Sequence, residues 1–261
     1  MNSRRSTRER VPAALPAPRW AAPEPTPLDP RAVQVAASGD ERTISVTHPS
    51  DWAGRACGEA SPTRRATALA DYAVQLAGRP DLIAQARTEL ADHNLGCPCA
   101  PGVPCHRDIL LDVAQPPADP YRGGHALAVT LARPWASLVL LPETLPRRII
   151  HTRTWCTDYR GALCVLASQR LDEHGVAAAA AVGFDTAWHA RQRGWLGVGV
   201  LKDVHRATPG CCASGTHAHP RNVYHWVWAH GARLGRPVFG RGFLGLRRVA
   251  WSVLIGPAGG G

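Results

Sequence analysis

The sequence predicts an α+β fold in which a disordered tail, a small α/β domain and a small β-barrel domain follow one another. Three observations predict this order. Seven prolines fall between Val11 and Pro30, amphipathic helical patterns follow, and after Gly124 short apolar runs alternate with turns. At 261 residues the chain is long enough for two modest domains. The predicted boundaries are 1–38 for the tail, 39–115 for the α/β domain, 116–124 for a linker and 125–254 for the barrel.

The tail is predicted to be disordered because it lacks an apolar period and cannot bury enough surface to offset its conformational entropy. Its basic start is not followed by the apolar segment of a secretory signal. No apolar run approaches eighteen residues, so no membrane span is expected. The expected compartment is the cytoplasm, where cysteines remain thiols or metal ligands.

The α/β domain is predicted from a strand, two helices, a second strand, a loop and a third helix. ERTISV indicates the first strand. An apolar stripe from Ala66 to Leu76 indicates a helix that ends at Gly78, and Pro80 with Asp81 begins a second helix over PDLIAQARTELADH. NLGCPC indicates a strand, APGVP a loop and CHRDILLDVA the third helix, while QPPADPYRGG is typical of a linker.

The barrel is predicted from short strand-like runs that turns separate. These runs are HALAVTLA, GALCVLAS, GWLGVGVL and LGLRRVAWSVL, with one alanine-rich helical stretch, GVAAAAAVG, between them. Several short strands broken by glycines, with few helices, indicate a small barrel.

Three cysteines and a histidine lie within ten positions in GCPCAPGVPCH. Cys97 and Cys99 alternate on the predicted strand and share a face, while Cys105 and His106 begin a helix whose free N–H groups favour negative charge. The residues leave three interpretations open: structural thiols, a metal site with zinc as the candidate ion, or a reactive or anion-binding site. The candidate metal ligands are Cys97, Cys99, Cys105 and His106.

A second group with metal-ligand residue types lies in the loop CCASGTHAH. Cys211, Cys212, His217 and His219 supply four ligand types, but the segment has no framing secondary structure and adjacent cysteines seldom bind one ion together. A loop without a metal is the alternative interpretation.

The positive charge of the chain is confined to its second half. Residues 1–121 carry a net charge of −1 and residues 122–261 a net charge of +11, and this half also contains seven of the nine tryptophans. Interleaved cationic and aromatic side chains are typical of proteins that bind single-stranded RNA. RNA or a nucleotide is therefore the expected partner.

Two resemblances refine these expectations. HPSDWAGR, TALADYAVQL and NLGCPCAPGVPCHRDILLDVA, within residues 42–115, are similar to the domain of unknown function four-three-two-six. The resemblance lies in the order of Cys97, Cys99, Cys105 and His106. AGRAC stands where the family shows GNPF, and Pro98 replaces a tryptophan. The resemblance to this family implies no particular biochemical activity.

The second resemblance rests on LARPWASLVLL, HTRTWCTDYRGALCVLAS, GVGVLKDVHRA, YHWVWA and GRGFLGLRRV, in this order. Together they resemble an ASCH domain, of the PUA-like barrel superfamily, over residues 123–250. The resemblance and the charge together imply binding of RNA or a modified nucleotide. The expected binding residues, which we expect to line one cleft, are Trp135, Arg153, Tyr159, Arg160 and Lys202.

Some ASCH relatives are enzymes, so the sequence leaves catalysis open. A nucleoside amidohydrolase or a ribonuclease is one alternative, and a non-catalytic adaptor for protein contacts is another. Arg147 and Arg148 stand at basic positions of the amidohydrolase motif, and a guanidinium cannot be deprotonated to act as a base. The candidate acid, base or phosphate-positioning residues are His151, Lys202, Asp203, His205 and His225.

Overall fold

The computed structural model describes residues 32–34, 43–47, 50–100, 102–141, 150–181, 183–212 and 223–256. Within these ranges the protein is a mixed α/β structure with two sheets. The first region contains β1 (Ala32–Gln34), β2 (Thr43–Ser45), α1 (Pro62–Ala77), α2 (Pro80–Glu89), β3 (Asn94–Cys97) and α3 (His106–Ala114).

The second region contains β4 (Ala126–Arg133), α4 (Trp135–Leu138), β5 (Ile150–Arg153), β6 (Gly161–Leu171), α5 (Glu173–Ala181), α6 (Thr186–Arg191), β7 (Gly194–Arg206), β8 (Tyr224–Val238) and β9 (Leu246–Val249). A 3₁₀ helix, Trp251–Leu254, follows β9. Among the described residues, no helix combines the length and the apolar character that crossing a membrane requires.

The first sheet has the order β1-β3-β2, with both outer strands parallel to β3. Strand β1 corrects the expected tail, because Ala32–Gln34 pair with Leu95–Cys97. A strand of three residues is too short to show an alternation of apolar and polar side chains. It is therefore recognised only by its hydrogen bonds to β3. Residues 1–31 and 35–38 of the expected tail lie outside the described residues.

Helix α1 forms as its sequence predicts. At its start, the side chain of Ser61 accepts a hydrogen bond from Arg64 N. At its end, Gly78 N donates to backbone carbonyls of the last turn. Helix α2 is shorter than expected, because it ends at Glu89 and Asp92 adopts a positive φ of 61°. A non-glycine residue in the left-handed region interrupts a right-handed helix.

The second sheet has six strands in the order β5-β8-β7-β6-β4-β9. Only β4 and β6 are parallel, while each other neighbouring pair is antiparallel. Among the described residues, no strand pair joins β5 to β9 to close the sheet into the expected barrel. The structure therefore supports a six-stranded sheet as the core of this region.

The two regions share one hydrophobic core across β4. Ala126 and Ala128 face the helices of the first region, whereas Leu127 and Val129 face a second core on the other side of the sheet. Successive strand residues point to opposite faces, so the strand is buried on both sides. On the helix-facing side of the sheet, α1 packs against β7 and β8.

The Asp112 carboxylate joins α3 to the sheet region. One of its oxygens accepts hydrogen bonds from His125 N at 3.0 Å and from Trp251 N at 2.8 Å, and the other lies 2.7 Å from His125 Nδ1. Asp112 is buried. Hydrogen bonds to a buried charged group are stronger than those between neutral groups, so this contact fixes the position of α3.

Replacing Asp112 by alanine should lower the free energy of unfolding by about 3 kcal/mol, because the buried Trp251 N–H would lose its acceptor. Denaturant titration measures this change. Asp81→Ala is the control, since its ion pair with Arg79 is exposed and should contribute little. Equal stability of the two variants would show that the Asp112 contact does not hold the regions together.

Candidate functional site

Four cysteine side chains converge beside the first sheet. Cys97 ends β3, Cys99 follows in the next turn, Cys105 immediately precedes α3, and Cys57 comes from the loop before α1. Their sulfur atoms all lie within 4.8 Å of one another. None of the four forms a disulfide, and all except Cys57 are buried.

The distances between these sulfur atoms suit a tetrahedral metal ion. Cys57 Sγ lies 3.0 Å from Cys97 Sγ and 3.5 Å from Cys99 Sγ, and Cys105 Sγ lies 3.3 Å from Cys97 Sγ. Zn–S bonds of about 2.3 Å give tetrahedral S–S edges of about 3.8 Å. Each of these three pairs would therefore open by less than about 1 Å, and the cluster could hold a metal ion such as zinc.

The pKa values of two of the clustered thiols are shifted in opposite directions. Hydrogen bonding with Cys105 and Cys57 lowers the pKa of Cys97 far below its usual value. Hydrogen bonding with Cys57 and Cys97, together with burial, raises the pKa of Cys105. Thiolates would repel one another in a buried site unless a cation neutralised them.

His106 lies beside the cluster instead of completing it, which corrects the expected ligand set. Its Nε2 is 2.7 Å from Val46 O and donates to that carbonyl, so Nδ1 carries the lone pair. Nδ1 faces the cluster and lies 3.1 Å from Cys57 Sγ. Cys57 thus takes the place in the four-residue cluster that the sequence analysis gave to His106.

The approach of the Cys57 loop depends on Gly54. A Cβ at this position would lie 2.7 Å from His106 Cβ, closer than side chains pack. Cys57 and Cys97 are forty positions apart, so ligand spacing along the chain could not reveal this contact. The available signal was the segment AGRAC, where the sequence departs from the expected family motif and carries a cysteine.

A cleft of about 470 Å³ lies next to this cluster, between the helices of the first region and the six-stranded sheet. Four arginines line it: Arg65 from α1, Arg107 from α3, Arg160 before β6 and Arg248 from β9. Asp108 is the carboxylate among the lining residues. The cleft thus has an excess of positive charge and suits an anionic ligand.

Protein contacts orient the guanidinium groups. Arg65 donates through Nε and Nη2 to Glu59 O, and Arg160 donates to Thr157 O and Val204 O. Arg107 Nε lies 3.4 Å from Asp108 Oδ1, while Asp108 Oδ2 accepts from Cys105 N. Backbone acceptors thus orient Arg65 and Arg160, while the Asp108 and Asp203 carboxylates lie beside Arg107 and Arg160.

The expected binding residues do not all meet in this cleft. Tyr159 and Arg160 line it, whereas Trp135, Arg153 and Lys202 do not. Lys202 is the exposed residue of a bulge in β7, where the register with β8 shifts between Leu201 and Asp203. A bulge turns its side chain away from the regular faces of the sheet.

Arg153 and Trp135 belong to an interior cluster on the other side of the sheet. Arg153 stacks over Trp155 at 4.8 Å and over Trp226 at 5.5 Å, and Nη2 donates to Thr130 O. Burial lowers its pKa to about 10. Trp135 Nε1 donates to Asp172, so this ring is held in place.

The catalytic candidates are divided between two faces of the β5–β8–β7 sheet. His151 pairs in register with Trp226 and is buried in the interior cluster, while His205 pairs with His225 on the opposite face. Asp203 Oδ2 lies 2.6 Å from His205 Nδ1. His151 therefore cannot act together with Asp203, His205 and His225 at one reacting centre.

Residues 33–116 match the family model Domain of unknown function (DUF4326). This DUF4326 region contains all four clustered cysteines and agrees with the resemblance expected for the first half. The cleft, in contrast, is shared between the DUF4326 region and the six-stranded sheet. No curated protein and no solved structure matches the chain.

His151 should make stability depend on pH. Burial, and then the charge of Arg153, lower its folded-state pKa well below 6.5. Between pH 6.5 and that lower pKa, the unfolded state binds a proton that the folded state does not bind, so stability falls as pH falls. From pH 7.5 to pH 5, the wild type should lose up to about 2 kcal/mol more than His151→Gln.

Denaturant titrations at these two pH values measure the difference. The control is His174→Gln, since His174 is exposed and its replacement should leave the wild-type pH profile unchanged. Parallel pH profiles for the wild type and His151→Gln would mean that His151 is protonated in the folded protein.

Proposed function

We propose that this protein binds RNA and seats a nucleotide with its phosphates in the arginine-lined cleft. The observation that carries the proposal is that four arginines, from α1, α3, the segment before β6 and β9, line one cavity that Asp108 alone among its lining residues supplies with a carboxylate. Guanidinium forks match phosphate oxygens in geometry and charge.

The size and lining of the cleft support a nucleotide. Its volume of about 470 Å³ lies within the range of roughly 300–1,000 Å³ that is typical of small-molecule sites. Pro62, Leu69, Val103 and Pro104 add apolar surface beside the arginines. An unstacked base can lie on such a surface while its phosphates meet the cations.

We further propose that the four cysteines hold a structural zinc ion. Four protein ligands leave no open coordination position, which is typical of a structural site and not of a catalytic one. The ion would bind Cys105, directly before α3, and Arg107 and Asp108 lie in the first turn of that helix. Zinc would therefore stabilise one wall of the cleft.

A reducing compartment agrees with this proposal, since the cytoplasm keeps thiols available to a metal. The expected resemblance to an ASCH domain and the net charge of +11 after residue 121 also support an RNA partner. A hydrolase is not favoured, because the candidate acids and bases are divided between the two faces of the sheet.

The Cys97→Ser variant should contain one equivalent of zinc less than the wild type, because serine is a poor ligand for this ion. Elemental analysis of the purified chain measures the loss. Cys156→Ser is the matched control, since Cys156 is a free cysteine outside the cluster. The variant should also bind RNA more weakly, and unchanged zinc content would contradict the structural-zinc proposal.

Removing Arg65 or Arg248 should weaken RNA binding. Each alanine variant should raise the Kd for a single-stranded RNA by roughly 5- to 20-fold at low salt and reduce the salt slope by about one phosphate contact. Fluorescence anisotropy at several salt concentrations measures both quantities.

The matched control is Arg236→Ala, which removes one exposed arginine of β8 outside the cleft. Equal losses in all three variants would indicate binding by net charge alone and contradict a cleft site. Competition by a mononucleotide would separate recognition of one seated nucleotide from recognition of an extended backbone.

A further inference from the structure

A second cluster of metal-ligating side chains lies where β7 ends and β8 begins, outside the DUF4326 region. His205, Cys211, Cys212 and His225 place their ligand atoms within 4.8 Å of one another. His205 and His225 pair across the two strands, with ring centroids 5.4 Å apart. The two cysteines come from the segment that follows β7.

The distances within this cluster match a tetrahedral site with two sulfur and two nitrogen ligands. Cys212 Sγ lies 3.3 Å from His205 Nε2, and His225 Nδ1 lies 3.3 Å from both cysteine sulfur atoms. The two sulfur atoms are 4.0 Å apart. Zinc–ligand bonds of about 2.3 Å to sulfur and about 2.0 Å to nitrogen require S–N edges of about 3.5 Å and S–S edges of about 3.8 Å.

Asp203 orients one of the two imidazoles. Its Oδ2 lies 2.6 Å from His205 Nδ1 and accepts a hydrogen bond from it, which leaves Nε2 as the ring nitrogen that faces Cys212. A carboxylate behind a ligating histidine is a recurrent feature of zinc sites, because it fixes the tautomer and raises the basicity of the ligand.

Packing alone does not explain these four side chains. Cys211 is exposed and Cys212 is only partly buried, whereas a cysteine that serves as a small apolar side chain is usually buried. The sequence predicts His217 and His219 as the partners of these cysteines, and both histidines lie outside the described residues. Folding instead brings His205 and His225 to them, across the strand pair.

We propose that His205, Cys211, Cys212 and His225 bind one zinc ion. Both thiols lose their protons to solvent on binding, so two thiolates balance the charge of the ion and the site is neutral. The four protein ligands fill a tetrahedron and make the site structural. The ion ties the segment after β7 to the first residues of β8.

This site also reaches the cleft. Asp203 Oδ1 accepts from Arg160 Nη2 at 3.3 Å, and Arg160 lines the cleft from the sheet side. The ion would therefore bind His205, which is hydrogen-bonded to Asp203. Asp203 in turn forms an ion pair with Arg160. The metal site stands without the RNA proposal, since its ligands lie outside the cleft lining.

Elemental analysis of the full-length chain tests the site. His205→Ala and Cys212→Ser should each lose one zinc equivalent and keep the ion of the Cys57 cluster. His174→Ala and Cys156→Ser replace the same residue types outside both clusters and should keep the wild-type zinc content.

Cobalt substitution provides a second readout that does not depend on a loss of fold. The wild type should show the summed visible spectra of an S₄ and an S₂N₂ site. His205→Ala should retain only the S₄ spectrum, and Cys97→Ser only the S₂N₂ spectrum.

Wild-type zinc content in both His205→Ala and Cys212→Ser would overturn the proposal. A loss of zinc in His217→Ala and His219→Ala, with none in His205→Ala and His225→Ala, would also overturn it. If Cys97→Ser abolishes the whole cobalt spectrum and His205→Ala leaves it unchanged, the Cys57 cluster binds a metal ion and the cluster of His205, Cys211, Cys212 and His225 does not.

Discussion

The arrangement of this protein depends on the hydrogen bonds that converge on the buried Asp112 carboxylate. They fix α3 against the start of β4 and against the 3₁₀ helix of the second region. The distance between the helical wall and the sheet wall of the cleft is therefore fixed. The same nine-residue helix follows Cys105 of the metal cluster and carries Arg107 toward the cleft. One helix therefore connects the core, the cysteine cluster and the proposed binding site.

Like charges close to one another link the proposed functions. The clustered thiols repel one another when they are ionised, and a divalent cation removes that repulsion. Four arginines and one carboxylate, that of Asp108, line the cleft, and a phosphate would supply the negative charge that this lining lacks. Arg153 lies outside the cleft, where Trp155 and Trp226 stack on its guanidinium and Thr130 O accepts a hydrogen bond from it.

Local patterns predicted much of the fold and part of the site. The stripe of α1, the helix after Cys105 and the short strands after Gly124 follow from periodicity and turn residues. Closure of the strands into a barrel did not follow, because strand periodicity does not specify which strands pair. Of the cysteine cluster, Cys97, Cys99 and Cys105 were predicted from their spacing, but Cys57 was not.

The sequence by itself determined α1, α3 and several strands of both sheets, together with the basic character of the second half and the residue types able to bind metal. Only the tertiary structure decided which of them meet. It placed Cys57 beside Cys97, and His205 and His225 beside Cys211 and Cys212. It also placed Arg65 and Arg248 in the lining of one cleft. The physical reason is that helix stripes and strand alternation depend on neighbouring residues, whereas these sites depend on strand register and on packing between distant segments.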